Sequence, residues 1–253
     1  MTPVNNLGFI IKARMNSKRL PGKVLKKIYD RTCIEHLVMR LSKSRYPHKI
    51  IIATSTEKAD DKIAEEAKKL GIGCYRGSLD DVLGRVVQAL KKFEFDSVVG
   101  IDGDKAMLDI DIVDYVIDVF LKEYLKYDCV VNLNKFGDYS FPPGQIIYVY
   151  KAQAIIHAEG LKLDKKAREH LYLAFFENKD IFKIKTVSAP AYWNRPEIRT
   201  AIDTPEDMEF NRKVFDHLYP QNPFFSVKDV IELVDRKPEL IKINSLVTPK
   251  PMR

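Results

Sequence analysis

Short apolar runs, rich in β-branched side chains and closed by charged or turn-forming residues, alternate with segments whose apolar positions return every three or four residues. The first pattern predicts buried strands and the second amphipathic helices. The opening run (Leu7, Phe9, Ile10, Ile11) stops at Ala13 and predicts a strand. A helix is expected over 33–41, where Ile34, Leu37, Val38 and Leu41 share a face. The alternation continues with strands over 49–54, 74–76, 97–101 and 129–131 and helices over 59–70, 80–93 and 111–125. Strands separated by helices require a mostly parallel sheet covered on both faces, an α/β fold.

The middle third changes character. Residues 136–144 are rich in aromatics, Gly and Pro and suit a loop, followed by a strand over 146–150 and helices over 152–158 and 165–177. Residues 183–187 and 199–202 read as late strands returning to the sheet. The helix over 205–218 has a well-marked start: Asp203 or Thr204 can cap it, Pro205 suits its first turn, and Glu206 and Asp207 favour its dipole. A linker over 219–223 leads to a last helix over 227–234 and a tail.

Composition narrows the class. The 253 residues are 45% hydrophobic and 30% charged, ordinary for a globular chain. The net charge of +7 and pI near 9.1 favour anionic partners. A basic active site is preferred over nucleic-acid binding, because no zinc-finger, RNP or KH signature occurs and the cations are dispersed. Cys33, Cys74 and Cys129 are odd in number and widely separated, so they read as reduced core thiols. With no apolar run of membrane-spanning length and no signal-like segment, the expected location is cytoplasmic, with no membrane partner.

The candidate chemistry begins where the first strand ends. Arg14, Ser17, Lys18, Arg19 and Lys23 follow in one loop punctuated by Pro21-Gly22. At the carboxyl end of a strand in an open α/β sheet, such a loop suits a polyanion, and a nucleoside triphosphate is the obvious candidate. It is neither a Gly-x-x-x-x-Gly-Lys-Ser/Thr loop nor a Gly-x-Gly-x-x-Gly fingerprint. Asp102-Gly-Asp104 directly follows the predicted strand over 97–101 and can either approach a magnesium ion or serve as turn chemistry. Asp203 ends another apolar run and is either a further metal ligand or a helix cap. Zinc is disfavoured because the five histidines share no ligand spacing, and a serine hydrolase because Gly-x-Ser-x-Gly is missing.

Ala13-Arg-Met-Asn-Ser-Lys-Arg-Leu-Pro-Gly-Lys23 resembles the N-terminal signature of the cytidylyltransferases that activate acidic sugars, the CMP-Kdo and CMP-sialate synthetases. The likeness is closer to their relatives, the spore coat polysaccharide biosynthesis protein F family. It continues through Arg76-Gly-Ser-Leu-Asp-Asp-Val-Leu-Gly-Arg85, Asp102-Gly-Asp104, Arg168-Glu-His170, Ile202-Asp-Thr-Pro-Glu-Asp207 and Pro238-Glu-Leu-Ile-Lys-Ile-Asn244. The resemblance implies a three-layer, Rossmann-like, mostly parallel sheet of the nucleotide-diphospho-sugar transferase (GT-A-like) type. It further implies a homodimer using CTP and Mg2+ and an acceptor oxygen that attacks the α-phosphorus to release pyrophosphate. A domain over 1–220 would carry an acceptor and dimerisation insertion at about 133–190, with the C-terminal helix and tail (221–253) packed upon it.

By the same resemblance, Ala13, Arg14, Ser17, Lys18, Arg19, Lys23, Arg85 and Asp102 would line the nucleotide. Of these, Arg14, Arg19 and Lys23 would carry catalysis, and Asp104 and Asp203 would hold magnesium. Lys105, Gln145, Tyr148, Arg168, Glu169 and His170 would face a small acidic acceptor. Cations around the phosphates suit a reaction governed by positioning and charge stabilisation, where one such group contributes roughly 2–4 kcal/mol.

The chain departs from the family at Lys12, usually Gln, and at Gly100-Ile-Asp-Gly-Asp-Lys-Ala106, usually Arg-Ile-Thr-Gly-Asp-Cys-Pro. Tyr148 stands where an acid is usual. These changes leave the nucleotide half intact and point to an acceptor half remodelled for another phosphorylated or carboxylated molecule. The alternatives are a guanylyltransferase or GT-A glycosyltransferase on the same fold, or a noncatalytic nucleotide-binding homologue.

Overall fold

A computed structural model of the chain describes residue 4 and residues 6–46, 48–133 and 139–248. In chain order its strands are β1 (Leu7–Lys12), β2 (Lys27–Ile28), β3 (Arg31–Thr32), β4 (His48–Ser55), β5 (Gly73–Gly77), β6 (Ser97–Asp102), β7 (Cys129–Val131), β8 (Tyr148–Lys151) and β9 (Ile184–Thr186). Its α-helices are α1 (Cys33–Leu41), α2 (Asp61–Lys69), α3 (Val82–Phe93), α4 (Ile110–Lys122), α5 (Ala152–Glu159), α6 (Lys165–Glu169), α7 (Leu171–Phe176), α8 (Pro205–Leu218) and α9 (Val227–Arg236).

Seven strands form one sheet in the order β5-β4-β1-β6-β8-β7-β9, and β2 and β3 form a separate hairpin. The pairs β5/β4, β4/β1, β1/β6 and β7/β9 are parallel, and β8 runs antiparallel to both neighbours. Side chains on successive residues of β1 point to opposite faces, which sets the layers. Phe9 and Ile11 join Ile34, Leu37, Val113, Val116 and Phe120 of α1 and α4. Ile10 joins Val86, Val87, Leu90 and Ile155 of α3 and α5 on the other face. Burying side chains of this size stabilises by about 1.5–3 kcal/mol each relative to exposure. A third cluster ties α8 (Met208, Phe210, Val214, Phe215) to α9 (Val230, Leu233, Val234) and to Leu20, Ile28 and Cys33. The C-terminal helix therefore shares a core with the hairpin and the start of α1.

From β1 the chain moves outward to β4 and β5, then returns to place β6 on the other side of β1. That reversal opens a crevice at the carboxyl ends of β1 and β6, the usual ligand site of such sheets. Lys12 and Asp102, their last residues, lie in register.

Two expected elements differ. Residues 199–202 do not form a strand: the amides of Thr200 and Ala201 both donate to the Pro143 carbonyl, at 2.7 and 3.0 Å, rather than to a sheet neighbour. The helix expected over 165–177 is broken at His170 (φ −120°, ψ 88°) into α6 and α7. Arg168 draws α6 to Asp81 at the start of α3, while Phe175 draws α7 against Tyr150, and one straight axis does not serve both. In the Pro-rich stretch, of which residues 134–138 lie outside the described residues, β8 starts at Tyr148. Before it, the Asn132 amide takes the place of a strand neighbour, accepting from Ile147 N (2.8 Å) and donating to the Gln145 carbonyl (2.9 Å).

Gly144 holds this junction at φ +109°, and a β-carbon there would meet Ala201 N at 2.4 Å and Thr200 Oγ1 at 2.5 Å. Gly144→Ala is expected to cost at least about 2 kcal/mol of unfolding free energy, read from urea denaturation. An unchanged midpoint would contradict this packing.

Candidate active site

Because β1 is buried through Ile11, its polar residues emerge together at the strand end, in the crevice. Asp60, itself buried, fixes the loop by accepting from Met15 N at 2.7 Å and from Ser55 N at 3.2 Å. Gly22, at φ +68°, turns the chain so that its amide donates to the Met15 carbonyl at 2.9 Å. Ala13 is buried beside β4, Ser17 is half-buried, and Lys18 is exposed. Beside the loop lies a cavity of about 270 Å3 lined by Met15, Asn16, Glu57, Ala59, Asp60 and Leu79.

The loop's other cations are engaged. Arg14 pairs with Glu169 at 3.0 Å and Arg19 with Asp203 at 2.9 Å. Lys23, whose side chain is only 12% exposed, is no solvated loop charge. Its ammonium donates to Asp104, to Asp203 Oδ1 at 2.8 Å and to the Ile202 carbonyl at 2.7 Å, which uses all its donors. Burial opposes its charge, yet Asp104 and Asp203 outweigh burial and hold the ammonium above the usual lysine range. Burial pushes the Asp104 carboxyl up, and the like charges of Asp102 and Asp203 add to the push against the pull of Lys23. For Asp203 burial is outweighed: Lys23, then Arg19 and Arg199, hold its carboxyl below the ordinary value.

The helix cap beside Asp203 is Thr204, which accepts from Asp207 N in a capping box, so the Asp203 carboxylate is not the cap and faces Lys23, Arg19 and Arg199 instead. Asp104 and Asp203 converge on one cationic nitrogen, and this donor set fits a hard divalent cation that completes its shell with water and phosphate oxygens. Among the described residues no group of three or more His, Cys, Asp or Glu side chains is placed to hold a metal. Asp102, two residues away, turns instead to Lys12 (2.9 Å) and Lys105 (3.7 Å). Gly103 permits the close passage of the two strand ends: a β-carbon there would lie 3.0 Å from Ala13 Cβ.

Arg85 is buried on α3, donating to the Ser78 carbonyl at 2.8 Å, and its Nε has no protein partner. Burial, and next the like charge of Arg14, bring its guanidinium down to about 10, still cationic at neutral pH. Asp60 and Asp81 pull the other way and compensate the charge only in part.

On the other side of the crevice, Tyr148 stacks between Tyr150 and Tyr172, with centroids 5.8 Å apart in each pair, and His170 lies 5.9 Å from Tyr172. Burial, with the phenol of Tyr172, pushes the Tyr148 hydroxyl well above its ordinary value, so it remains neutral. Other expected acceptor contacts are engaged with protein groups. Gln145 accepts from Asp109 N (2.8 Å) and donates to the Met107 carbonyl and Thr200 Oγ1. Lys105 donates to the Ile146 carbonyl, and Arg168 forms a fork with Asp81 at 3.0 and 2.6 Å. Glu169 faces Arg14 and so joins α6 to the basic loop.

The family model for cytidylyltransferases matches residues 8–231. This chain belongs to the cytidylyltransferase family. It is 34% identical to protein MJ1063 of Methanocaldococcus jannaschii over 96% of each chain. It is 28% identical to spore coat polysaccharide biosynthesis protein SpsF of Bacillus subtilis, covering 93% of this chain and 97% of that one. A cytidylyltransferase structure from Leptospira borgpetersenii serovar Hardjo-bovis superposes with a TM-score of 0.86 at 29% identity, over 96% of this chain and 98% of the other. The protein is thus a nucleotidyltransferase with the Rossmann-like α/β fold of its relatives.

In this cytidylyltransferase the structure also gathers residues that the sequence pattern did not single out. Arg199 bridges Asp203 (2.7 Å) and Asp207 (2.9 Å), and Asp60 braces the basic loop. Arg199 carried one usable signal, a cation inside an expected strand; Asp60 carried none beyond its place in the first turn of an expected helix. No helix among the described residues is long and apolar enough to cross a membrane.

Proposed function

We propose that this cytidylyltransferase transfers CMP from CTP to an acidic sugar or another phosphorylated or carboxylated small molecule, using Mg2+ and releasing pyrophosphate. The observation that carries the reading is the convergence of Asp104 and Asp203 on one cation beneath the loop of Arg14, Arg19 and Lys23. A triphosphate needs such a cradle, because an acceptor oxygen forms a new bond to the α-phosphorus while the bond to the bridging oxygen breaks. One further negative charge gathers on the departing pyrophosphate as that bond breaks, and the hydroxyl proton leaves to solvent. Arginine meets phosphate through two donors at once, which favours Arg14 and Arg19 for orientation and Lys23 for point charge. The unpartnered Nε of buried Arg85 supplies a further donor. Magnesium at Asp104 and Asp203 would supply a Lewis acid that offsets phosphate charge.

The cavity beside Met15, Asn16 and Leu79 is of a size for a pyrimidine base and adjoins the loop. The acceptor would lie beside the aromatic wall of Tyr148, Tyr172 and His170, in which Tyr148 is covered on both faces by Tyr150 and Tyr172. Glu169, paired with Arg14, marks the border between the two halves.

Incubation with each of the four nucleoside triphosphates, Mg2+ and a panel of acidic sugars and phosphorylated acids tests the proposal. Pyrophosphate release with CTP and one acceptor is expected. Release with GTP in place of CTP would favour a guanylyltransferase. CTP binding without release across a broad panel would overturn the enzymatic reading.

A further inference from the structure

The last described segment runs from α9 through a 3-10 turn (Pro238–Ile243) to Thr248, which meets Arg19 of the basic loop. Within it Lys242, Ser245 and Leu246 are exposed, whereas Asn244 is only 3% exposed. The turn itself packs through Leu240, Ile241 and Ile243 against the α8–α9 cluster, whereas the polar Asn244 side chain is drawn inward by hydrogen bonds.

Those contacts lead into the acidic pair. Asn244 Nδ2 donates to the Arg199 carbonyl and to Asp207 Oδ1, each at 3.0 Å. Asp207, fully buried, also accepts from Arg199 Nε at 2.9 Å, from Asp203 N at 2.9 Å and from Thr204 N at 3.2 Å. Arg199 reaches on from Asp207 to Asp203 Oδ2 at 2.7 Å, which leaves Oδ1 aimed at Lys23. Both the backbone and the carboxylate plane of Asp203 are therefore set by groups that Asn244 braces. The tail touches the site a second time where Arg19 donates to the Thr248 carbonyl at 3.4 Å.

We infer that Asn244 is a positioning residue for the reaction: through Asp207 and Arg199 it orients Asp203, so the C-terminal tail is part of the cation site. This rests on the proposed role of Asp203 in holding the divalent cation. A carboxylate whose orientation is fixed before the cation arrives loses less rotational freedom on binding it, and loss of such outer partners lowers metal affinity by about 10- to 100-fold.

The test uses the full chain with CTP and Mn2+ as the probe, free Mn2+ being followed by electron paramagnetic resonance. Asn244→Ala is expected to raise the half-saturating Mn2+ concentration at least about tenfold. The Mg2+ requirement for pyrophosphate release should shift by the same factor, with KM for CTP at saturating metal little changed. Arg199→Lys, which keeps the charge but loses the fork, is expected to do the same and serves if Asn244→Ala does not fold. Leu240→Ala is the control, because it loosens the same turn through apolar packing; it is expected to lower Tm and leave the Mn2+ titration unchanged. A folded Asn244→Ala protein with the wild-type titration would overturn the inference, as would an equal shift in Leu240→Ala. No Mn2+ binding by the wild-type protein would instead remove the role of Asp203, and the inference with it.

Discussion

Lys23→Met is expected to reduce CTP-dependent pyrophosphate release by about 10²- to 10³-fold, the loss associated with one charge-stabilising donor. It should also destabilise the ligand-free protein by about 3 kcal/mol, because the variant leaves buried carboxylates without their shared cation. Asp203 retains Arg19 and Arg199, whereas Asp104 loses the one ion-pair partner that it has among the described residues. The expected signature is thus a large loss of turnover together with a lowered unfolding midpoint that added Mg2+ raises more in the variant than in the wild type. Turnover kinetics and thermal unfolding with and without Mg2+ check both parts. A variant as stable as the wild type would show that the Lys23–Asp104–Asp203 cluster contributes nothing to the ligand-free fold.

Arg85→Met separates binding from stability in the opposite way. Arg85 is 3% exposed, one of its donors meets only the Ser78 carbonyl, and Nε meets nothing in the protein. Replacing a buried, poorly compensated charge by an apolar side chain of similar length is often neutral or stabilising. The unfolding free energy of Arg85→Met is therefore expected to equal the wild-type value or exceed it by about 1 kcal/mol. CTP affinity should fall by about 30- to 100-fold, as expected for loss of a hydrogen bond to a charged phosphate. Urea denaturation and calorimetric titration with CTP measure the two effects. A less stable variant with unchanged CTP affinity would make Arg85 a prop for the Ser78 turn and remove it from the nucleotide site.

The departures from the family pattern gain a physical reading from the structure. Lys12 and Asp102 are register partners joined by an ion pair, so the two substitutions act together. Lys105 adds a second cation to the same carboxylate. Gly100 leaves room beside Tyr150, whose ring lies 3.5 Å from where a β-carbon would be. This side of the crevice therefore carries a stacked aromatic wall and an internally compensated charge cluster.

The alternation of apolar runs with helical periodicity determined the α/β class and nearly every strand of the sheet, since each element buries a face that its own residues spell out. The basic loop and the Asp102-Gly-Asp104 turn were also legible, because strand ends, glycine turns and clustered cations are local features. What only the tertiary structure decided involves partners distant in sequence. Residues 199–202 look like a strand because Thr200 and Ile202 are β-branched and an acid follows, but Pro143 rather than a sheet neighbour takes the amides of Thr200 and Ala201. The 165–177 segment looks like one helix, but Asp81 and Tyr150 pull its halves apart. The choice between cap and crevice for Asp203 was settled by Thr204, Arg199 and Lys23 together. Hydrophobic period is a property of neighbours along the chain, whereas the direction of a carboxylate depends on which cations the fold brings to it.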